Sequence, residues 1–283
     1  MRDGLGPARV RLRGGTVLVE LTARFGEQAR AKVLAGEVVD ADGVVIDEAT
    51  VLPTGASVYL YRDLPHEVPV PFDLPVLYRD DDIVVVDKPH FLATMPRGSH
   101  VAQTALVRLR RELALPELSP AHRLDRLTAG VLLFTTRREL RGRYQTLFAR
   151  GAVDKTYLAR AVVDPELELP RVVCNRIIKR RGQLQAVCEP GVPNAETLVE
   201  LLAPDGLYRL TPRTGRTHQL RVHMASLGLP ITGDPLYPKV ITVADDDFST
   251  PLRLLARRLE FDDPVTGSRL TFVSRRQPMW PAD

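Results

Sequence analysis

His122-Arg123-Leu124-Asp125-Arg126-Leu127-Thr128-Ala129-Gly130 is the stretch on which the reading of this chain turns. A carboxylate sits between two arginines. A short turn of small residues follows, then a strongly apolar segment, Val131-Leu132-Leu133-Phe134, which reads as a strand running to Thr136. The flanking cations favour an ionised Asp125, the state that a nucleophile or a base requires. On spacing alone the plainer reading is favoured, a salt-bridged aspartate in a turn before a strand.

On either side of this stretch the periodicity is mixed. Ile83-Val84-Val85-Val86 reads as a buried strand. Leu106, Leu109 and Leu113 form a helical stripe with Arg108, Arg110 and Arg111 off it; Leu140, Tyr144, Leu147 and Phe148 form another. Residues 156–163 and 196–202 read as strands. Thr217 is placed to cap a helix that runs to Leu227 and stops at Gly228. Strands and helices do not strictly alternate, which predicts an α+β domain around a large mixed sheet rather than a doubly wound fold.

The 283 residues, 44% apolar and 26% charged, suit one large domain or one large and one small domain. A boundary falls at residues 63–75, where Pro65, Pro69, Pro71 and Pro75 deny the chain helical hydrogen bonds and hold it extended. This predicts a small domain at 1–65 and a large one at 66–283. In the small domain Leu21, Phe25, Ala29 and Val33 share a helical face, with Thr22 as cap and Gly36 as stop. Val38-Val39 and Val44-Val45-Ile46 flank Asp-Ala-Asp-Gly, a hairpin signal, and Val58-Tyr59-Leu60-Tyr61 reads as a closing strand. Residues 1–34 carry seven positive and three negative charges, and residues 35–65 one positive and six negative. Only the first half could face phosphate.

No apolar run approaches the roughly 20 residues of a membrane span, and the Arg-rich start lacks an apolar signal core. A cytoplasmic protein and a monomer are the expectations. Cys174 and Cys188 form no C-x-x-C pair, and His218 and His223 lie five apart, not the four of a helical metal pair, so no metal site is expected. The net charge of +4 is modest. Its clustering is more telling: Arg137-Arg138-Arg141-Arg143, Arg176-Lys179-Arg180-Arg181 and Arg213-Arg216-Arg221 read either as phosphate contacts or as solvated helix faces.

His-Arg-Leu-Asp followed by Thr-x-Gly resembles the signature of the RluA-type RNA pseudouridine synthases. Four further motifs resemble that family in the same order: Asp87-Lys88-Pro89, Lys155-Thr156-Tyr157, Thr214-Gly215-Arg216-Thr217-His218-Gln219-Leu220-Arg221-Val222-His223 and Gly228 to Tyr237. The resemblance implies a pseudouridine synthase fold with a large, mainly antiparallel sheet and flanking helices. It implies an isomerase that converts uridine in RNA to pseudouridine without metal or organic cofactor. The segment 1–65 resembles, in degenerate form, the small ribosomal-protein-type RNA-binding domain that precedes such catalytic domains. That favours large-subunit ribosomal RNA as partner over transfer RNA, and a brace for the catalytic domain is as good a reading of its role.

By the same resemblance Asp125 is the catalytic carboxylate, Arg221 its charged partner, and Tyr157 the ring that stacks on the target base and helps remove the C5 proton. Arg123 fills the gap left by an extruded nucleotide. Arg216 orients backbone or phosphate, Lys88 and Lys155 hold strands together or contact phosphate, and His218 belongs to the substrate-binding set, though the histidine itself reads as structural. The chain departs from the family at Ala129, at Leu254-Leu255-Ala256, and at His90-Phe91, which stand where a small residue and glycine are usual. Phe91 is therefore expected near the pocket. Two rivals are an RNA-binding protein that keeps the fold without turnover, and a hydrolase acting on a nucleoside or sugar. The second lacks an obvious second carboxylate.

Overall fold

The computed structural model describes residues 1–61, 63, 64 and 66–277. They form two compact units, Met1–His66 and Glu67–Asp283.

In the first unit β1 (Ala8–Arg11) and β2 (Gly15–Thr16) lead to α1 (Val17–Phe25) and α2 (Glu27–Leu34), followed by β3 (Val38–Val39), β4 (Val51–Leu52) and β5 (Ser57–Leu60). The strands pair antiparallel as β1-β5-β3 and β2-β4. Val17, Leu21, Ala29, Val33, Val38 and Val58 close the core. The single helix expected over 21–33 is in fact two. Gly26 at φ 76° breaks it, because the left-handed region is open to glycine and ends a helix there. Phe25 is thereby turned outward, 44% exposed. Thr22 is no cap: its hydroxyl donates to Leu18 O inside α1. The expected hairpin forms as a minimal one, with Asp40 N–H donating to Val44 O and Ile46 N–H to Val38 O. The proline-rich stretch includes Pro65, which lies outside the described residues. From Glu67 it is strapped to the second unit. The Glu67 carboxylate accepts from Val101, Ala102 and Gln103 N–H, and Arg108 donates to Val70 O and Phe72 O.

The second unit is built on an 11-stranded sheet. In chain order its elements are β6 (Val76–Arg79), β7 (Ile83–Lys88), α3 (Ala105–Glu112), β8 (Ser119–Pro120), β9 (Ala129–Thr135), α4 (Arg141–Ala149), β10 (Asp154–Arg160), β11 (Arg171–Ile178), β12 (Val187–Glu189), β13 (Ala195–Ala203), β14 (Leu207–Pro212), α5 (Gln219–Ser226), β15 (Leu254–Asp262) and β16 (Arg269–Val273). The strand order is β12-β11-β13-β14-β10-β15-β9-β7-β6, with β16 on β15 and β8 on β9. The fold is α+β with a large mixed sheet, as the sequence predicts. Among the described strands only β9 and β15 run parallel.

Continuous apolar runs become β7 and β9 because both their faces are covered. Ile83, Val85, Val131 and Leu133 pack with Leu140 and Tyr144 of the α4 side. Val84, Val86, Leu132 and Phe134 pack with Leu106 and Leu109 of α3 and Met224 of α5. Tyr144 also donates from its hydroxyl to buried Asp263, 2.8 Å away. No helix among the described residues is long and apolar enough to cross a membrane.

The parallel contact is the tight point. Ala256 of β15 faces Gly130 of β9, and Gly130 stands at φ 112°. A Cβ on Gly130 would lie 2.2 Å from Ala256 O. Gly130→Ala should therefore cost about 3 kcal/mol or more, lowering the unfolding midpoint in urea. Gly142→Ala in α4, where a Cβ meets nothing within 4 Å, should be neutral or mildly stabilising.

Candidate active site

The segment 122–128 lies between β8 and β9 and is held from one side by the last residue of β7 and residues that follow it. Lys88 is wholly buried and donates from Nζ to Pro89 O, Leu92 O and Arg126 O at 2.9, 2.7 and 3.2 Å. His90 Nδ1 donates to Leu127 O at 2.7 Å. Thr94 Oγ1 donates to Leu124 O and accepts from Leu124 N–H. Within the segment Thr128 N–H donates to Asp125 O. Three side chains thus fix the backbone on both sides of Asp125 and leave its carboxylate free.

That carboxylate faces a cleft of about 580 Å³ lined by His122, Arg123, Tyr157, Arg150, Arg216, His218 and Arg221, among others. Arg221, on α5, is 3% exposed. Its Nε and Nη2 donate to Asp234 Oδ2 and Oδ1 at 2.8 and 2.6 Å, the bidentate geometry that suits a guanidinium. Its Nη1 lies 3.5 Å from Asp125 Oδ2. Burial opposes the Arg221 charge, but the hydrogen bonds and charge of Asp234, with Asp125 adding, raise its pKa above the ordinary value. The partner of Asp125 is therefore Arg221, as expected. The neighbours Arg123 and Arg126 make no ion pair with it among the described residues, which corrects the first reading of the sequence.

Tyr157 sits on β10 beside a register shift between Thr156 and Tyr157. Burial, with the charge of Asp125 adding, raises its phenol pKa well above the ordinary value. It remains a neutral phenol, able to stack and to hydrogen-bond but not a standing phenolate base. Arg123 is exposed at the cleft. Arg216 is held by a bond from Nε to Asn194 O, and Lys155 donates from Nζ to Thr214 O at 3.1 Å. The turn 214–216 is organised by Gln219. Its Oε1 accepts from Thr214 Oγ1 and Arg216 N–H, and its Nε2 donates to Glu196 O and Thr197 Oγ1.

Three expectations are corrected. Lys88 was placed in the substrate-binding set, to hold strands together or to contact phosphate; it is 0% exposed with its ammonium spent on three carbonyls, so it braces the Asp125 segment and cannot reach a phosphate. Thr217 does not cap α5. His218 occupies that position at φ 60° without a side-chain cap bond. Phe91 is absent from the cleft lining and packs on Phe72 and Phe248, with ring centroids 6.1 and 5.3 Å apart. Asp234 was missed as a working residue, although Gly233-Asp234-Pro235-Leu236-Tyr237 lies in a motif the sequence displays. Only the fold shows that its carboxylate meets Arg221.

The pattern of the RNA pseudouridylate synthase family matches residues 82–226. Pseudouridylate synthase RPUSD2 of Homo sapiens is 37% identical over 181 residues, which are 62% of this chain and 33% of that one, so the chain spans about a third of the length of that relative. Ribosomal large subunit pseudouridine synthase D of Pseudomonas aeruginosa is 28% identical over 286 residues, 92% of this chain and 88% of that one. Among solved structures, human RNA Pseudouridylate Synthase Domain Containing 1 is similar with a TM-score of 0.57 at 25% identity, over 75% of this chain and 86% of that one.

Two outcomes follow from the burial of titratable groups. Asp234→Ala leaves the Arg221 charge buried without its bidentate partner and should cost about 3–5 kcal/mol in urea unfolding. Burial also holds His90, His122 and His223 neutral, with pKa values lowered to about 4, about 3 and about 4. The unfolded chain takes up these protons near pH 6.5 and the native chain does not. Stability present above pH 6.5 should thus be lost as pH falls towards 4, by about 1.4 kcal/mol per pH unit for each histidine. His122→Gln, which keeps an acceptor for the Leu133 N–H that now bonds Nε2, should make that slope shallower.

Proposed function

The chain belongs to the RNA pseudouridylate synthase family, and on that premise we propose that it isomerises a uridine within RNA to pseudouridine. The observation that carries this reading is the Asp125 carboxylate in a cleft beside Tyr157, paired with an arginine that Asp234 holds in one orientation. The cleft is of the size that admits a single extruded nucleotide. Arg123, Arg150, Arg213 and Arg216 on its lining supply cations for the adjoining phosphates.

In the reaction the bond from ribose C1′ to uracil N1 breaks, the detached uracil turns within the cleft, and a bond from C1′ to C5 forms. The hydrogen on C5 leaves and N1 gains one, so the product has the atoms of the substrate. Asp125 acts at the ribose, by attack at C1′ or by assisting removal of a ribose proton. Arg221 lies against one Asp125 oxygen at 3.5 Å, and the carboxylate keeps 22% of its side-chain surface exposed. Tyr157 lies under the base, where its neutral phenol can stack and relay the C5 proton to another acceptor.

The substrate favoured is large-subunit ribosomal RNA. A relative that aligns with nearly the whole chain, the first unit included, carries that name. In the first unit β1 turns Val10 inward and exposes Arg9 and Arg11, a spacing that suits phosphates along one face. On this reading residues 1–65 are an RNA-binding module and residues 66–283 the catalytic domain.

Position-resolved pseudouridine mapping of total RNA tests both parts. Cells without the gene should lose pseudouridine at one or a few ribosomal positions. Wild type should restore it, and Asp125→Ala should not, its conversion falling by roughly 10³-fold or more. A site in transfer RNA would keep the reaction and move the substrate. No change at any position would overturn the isomerase reading in favour of an RNA-binding protein without turnover.

A further inference from the structure

His218 is held in an unusual way for a residue beside a cleft. Its backbone is left-handed, at φ 60° and ψ 15°, a region uncommon for residues other than glycine, though asparagine, aspartate and histidine are enriched there. The ring Nδ1 lies 2.9 Å from the Tyr237 hydroxyl, and the two rings meet edge to face at 5.8 Å. Tyr237 is itself fixed. Its hydroxyl donates to Ala186 O at 3.0 Å and accepts from Ala186 N–H at 2.7 Å, so the last residue of the β11–β12 loop clamps it.

These contacts fix the tautomer. The Ala186 carbonyl is buried, and a buried carbonyl needs its donor. The one phenolic hydrogen is committed to it, so the phenolic oxygen can only accept from His218. The hydrogen of the neutral imidazole then sits on Nδ1, and Nε2 is a bare acceptor. Burial lowers the pKa of this ring, in keeping with the neutral form. Among the described residues Nε2 has no hydrogen-bond partner, and it is not among the buried polar atoms left without one. Nε2 is thus open to solvent, and His218 lines the cleft together with Asp125, Tyr157 and Arg221.

We propose that His218 Nε2 accepts a hydrogen bond from N3–H of the target uracil and holds the base at that point while it turns. The assignment rests on the uridine isomerase reading. It follows from the geometry of the ring. Exchanging N1 for C5 opposite C1′ is a half-turn about the line through N3 and C6. That turn swaps O2 with O4 and leaves N3–H where it was. Uracil attached to ribose through N1 offers one donor, N3–H, and a neutral acceptor fixed by Tyr237 is complementary to it before, during and after the turn. A cation at this place would select a carbonyl, and its partner would leave during the turn, to be replaced by the other carbonyl only when the turn is complete.

The test uses an RNA oligonucleotide containing the mapped uridine, tritiated at C5 so that tritium release counts turnover, and a second carrying 3-methyluridine at that position. His218→Asn suits the left-handed backbone and keeps an amide near Tyr237, but has no atom at the Nε2 position. It should lower kcat/KM on the uridine RNA roughly tenfold with an unchanged unfolding midpoint. Methylation should slow the wild type at least as much and have little further effect on His218→Asn. His218→Gln, whose carbonyl can reach the Nε2 position, should recover part of the loss. Equal rates for wild type and His218→Asn, independent multiplication of the two losses, or undiminished turnover of the 3-methyluridine RNA by wild type would each overturn the assignment. Absence of tritium release by wild type from the uridine RNA would instead overturn the isomerase reading.

Discussion

A guanidinium withdrawn from water sets the terms for the whole site. Arg221 is 3% exposed and meets two carboxylates unequally. Asp234, with no side-chain exposure, takes two of its N–H groups and also accepts from Leu236 and Tyr237 N–H. A buried ion pair recovers its desolvation cost only when further hydrogen bonds satisfy its lone pairs and protons, and here Asp234 accepts four, three on Oδ1 and one on Oδ2. The third edge of the guanidinium, Nη1, is left for Asp125 at a distance beyond a direct hydrogen bond. Asp234 thus fixes the direction of the positive charge, and Asp125 receives its field without being tied down. Two carboxylates about one arginine divide into a buried one and an accessible one because only Asp125 keeps access to the cleft.

The same division runs through the scaffold. Lys88, His90 and Thr94 hold the backbone of residues 124–127, and Gly130 lets β15 lie against β9 as its parallel neighbour. One end of the Asp125 segment is clamped by side chains to backbone carbonyls, and the other enters a strand buried on both faces. Side chains committed to backbone carbonyls leave fewer states than side chains committed to one another. A carboxylate carried on such a segment is held in place by the fold itself. The neighbouring Asp87 performs a related task. Buried, it accepts from Ser274 Oγ and Arg275 N–H and so ties the end of β16 back to β7.

Elements whose side chains all face one environment were legible in the sequence. The run Ile83 to Val86 reads as a buried strand and is one, covered on both sides, and Leu106, Leu109 and Leu113 read as a helix stripe, of which Leu106 and Leu109 lie in α3. What was not legible depended on backbone freedom or on contacts remote in sequence. A pattern of apolar residues at 21, 25, 29 and 33 is the same for one helix as for two, and the break rests on a left-handed turn at Gly26. Thr217 has the chemistry of a cap, but the chain reaches α5 through His218 in a left-handed conformation, which moves the cap position by one residue. A lysine in a motif reads as a phosphate contact until burial shows its ammonium enclosed by three carbonyls. Asp234 could be quoted as part of a motif, yet its meaning lies in meeting Arg221 from the far side of a turn.

His90 and Phe91 show how a departure from a family pattern can be absorbed without reaching the site. Phe91 has φ 66°, the region in which glycine is at ease, and a residue with a Cβ there carries a cost of about 1–2 kcal/mol. The ring is 6% exposed and packs against Phe72 and Phe248, and burying a phenylalanine contributes about 1.5–3 kcal/mol. The two terms are of the same size, so the conformation that glycine would adopt freely is held here by packing. His90 adds a hydrogen bond to Leu127 O at 2.7 Å, in a segment that a small residue could brace only through its backbone. The two substitutions therefore act together: one anchors the turn in an aromatic cluster away from the cleft, and the other extends from that anchored turn to the backbone two residues beyond Asp125. A change that in the sequence looked like an alteration of the pocket is, in the fold, a stiffening of the support behind it.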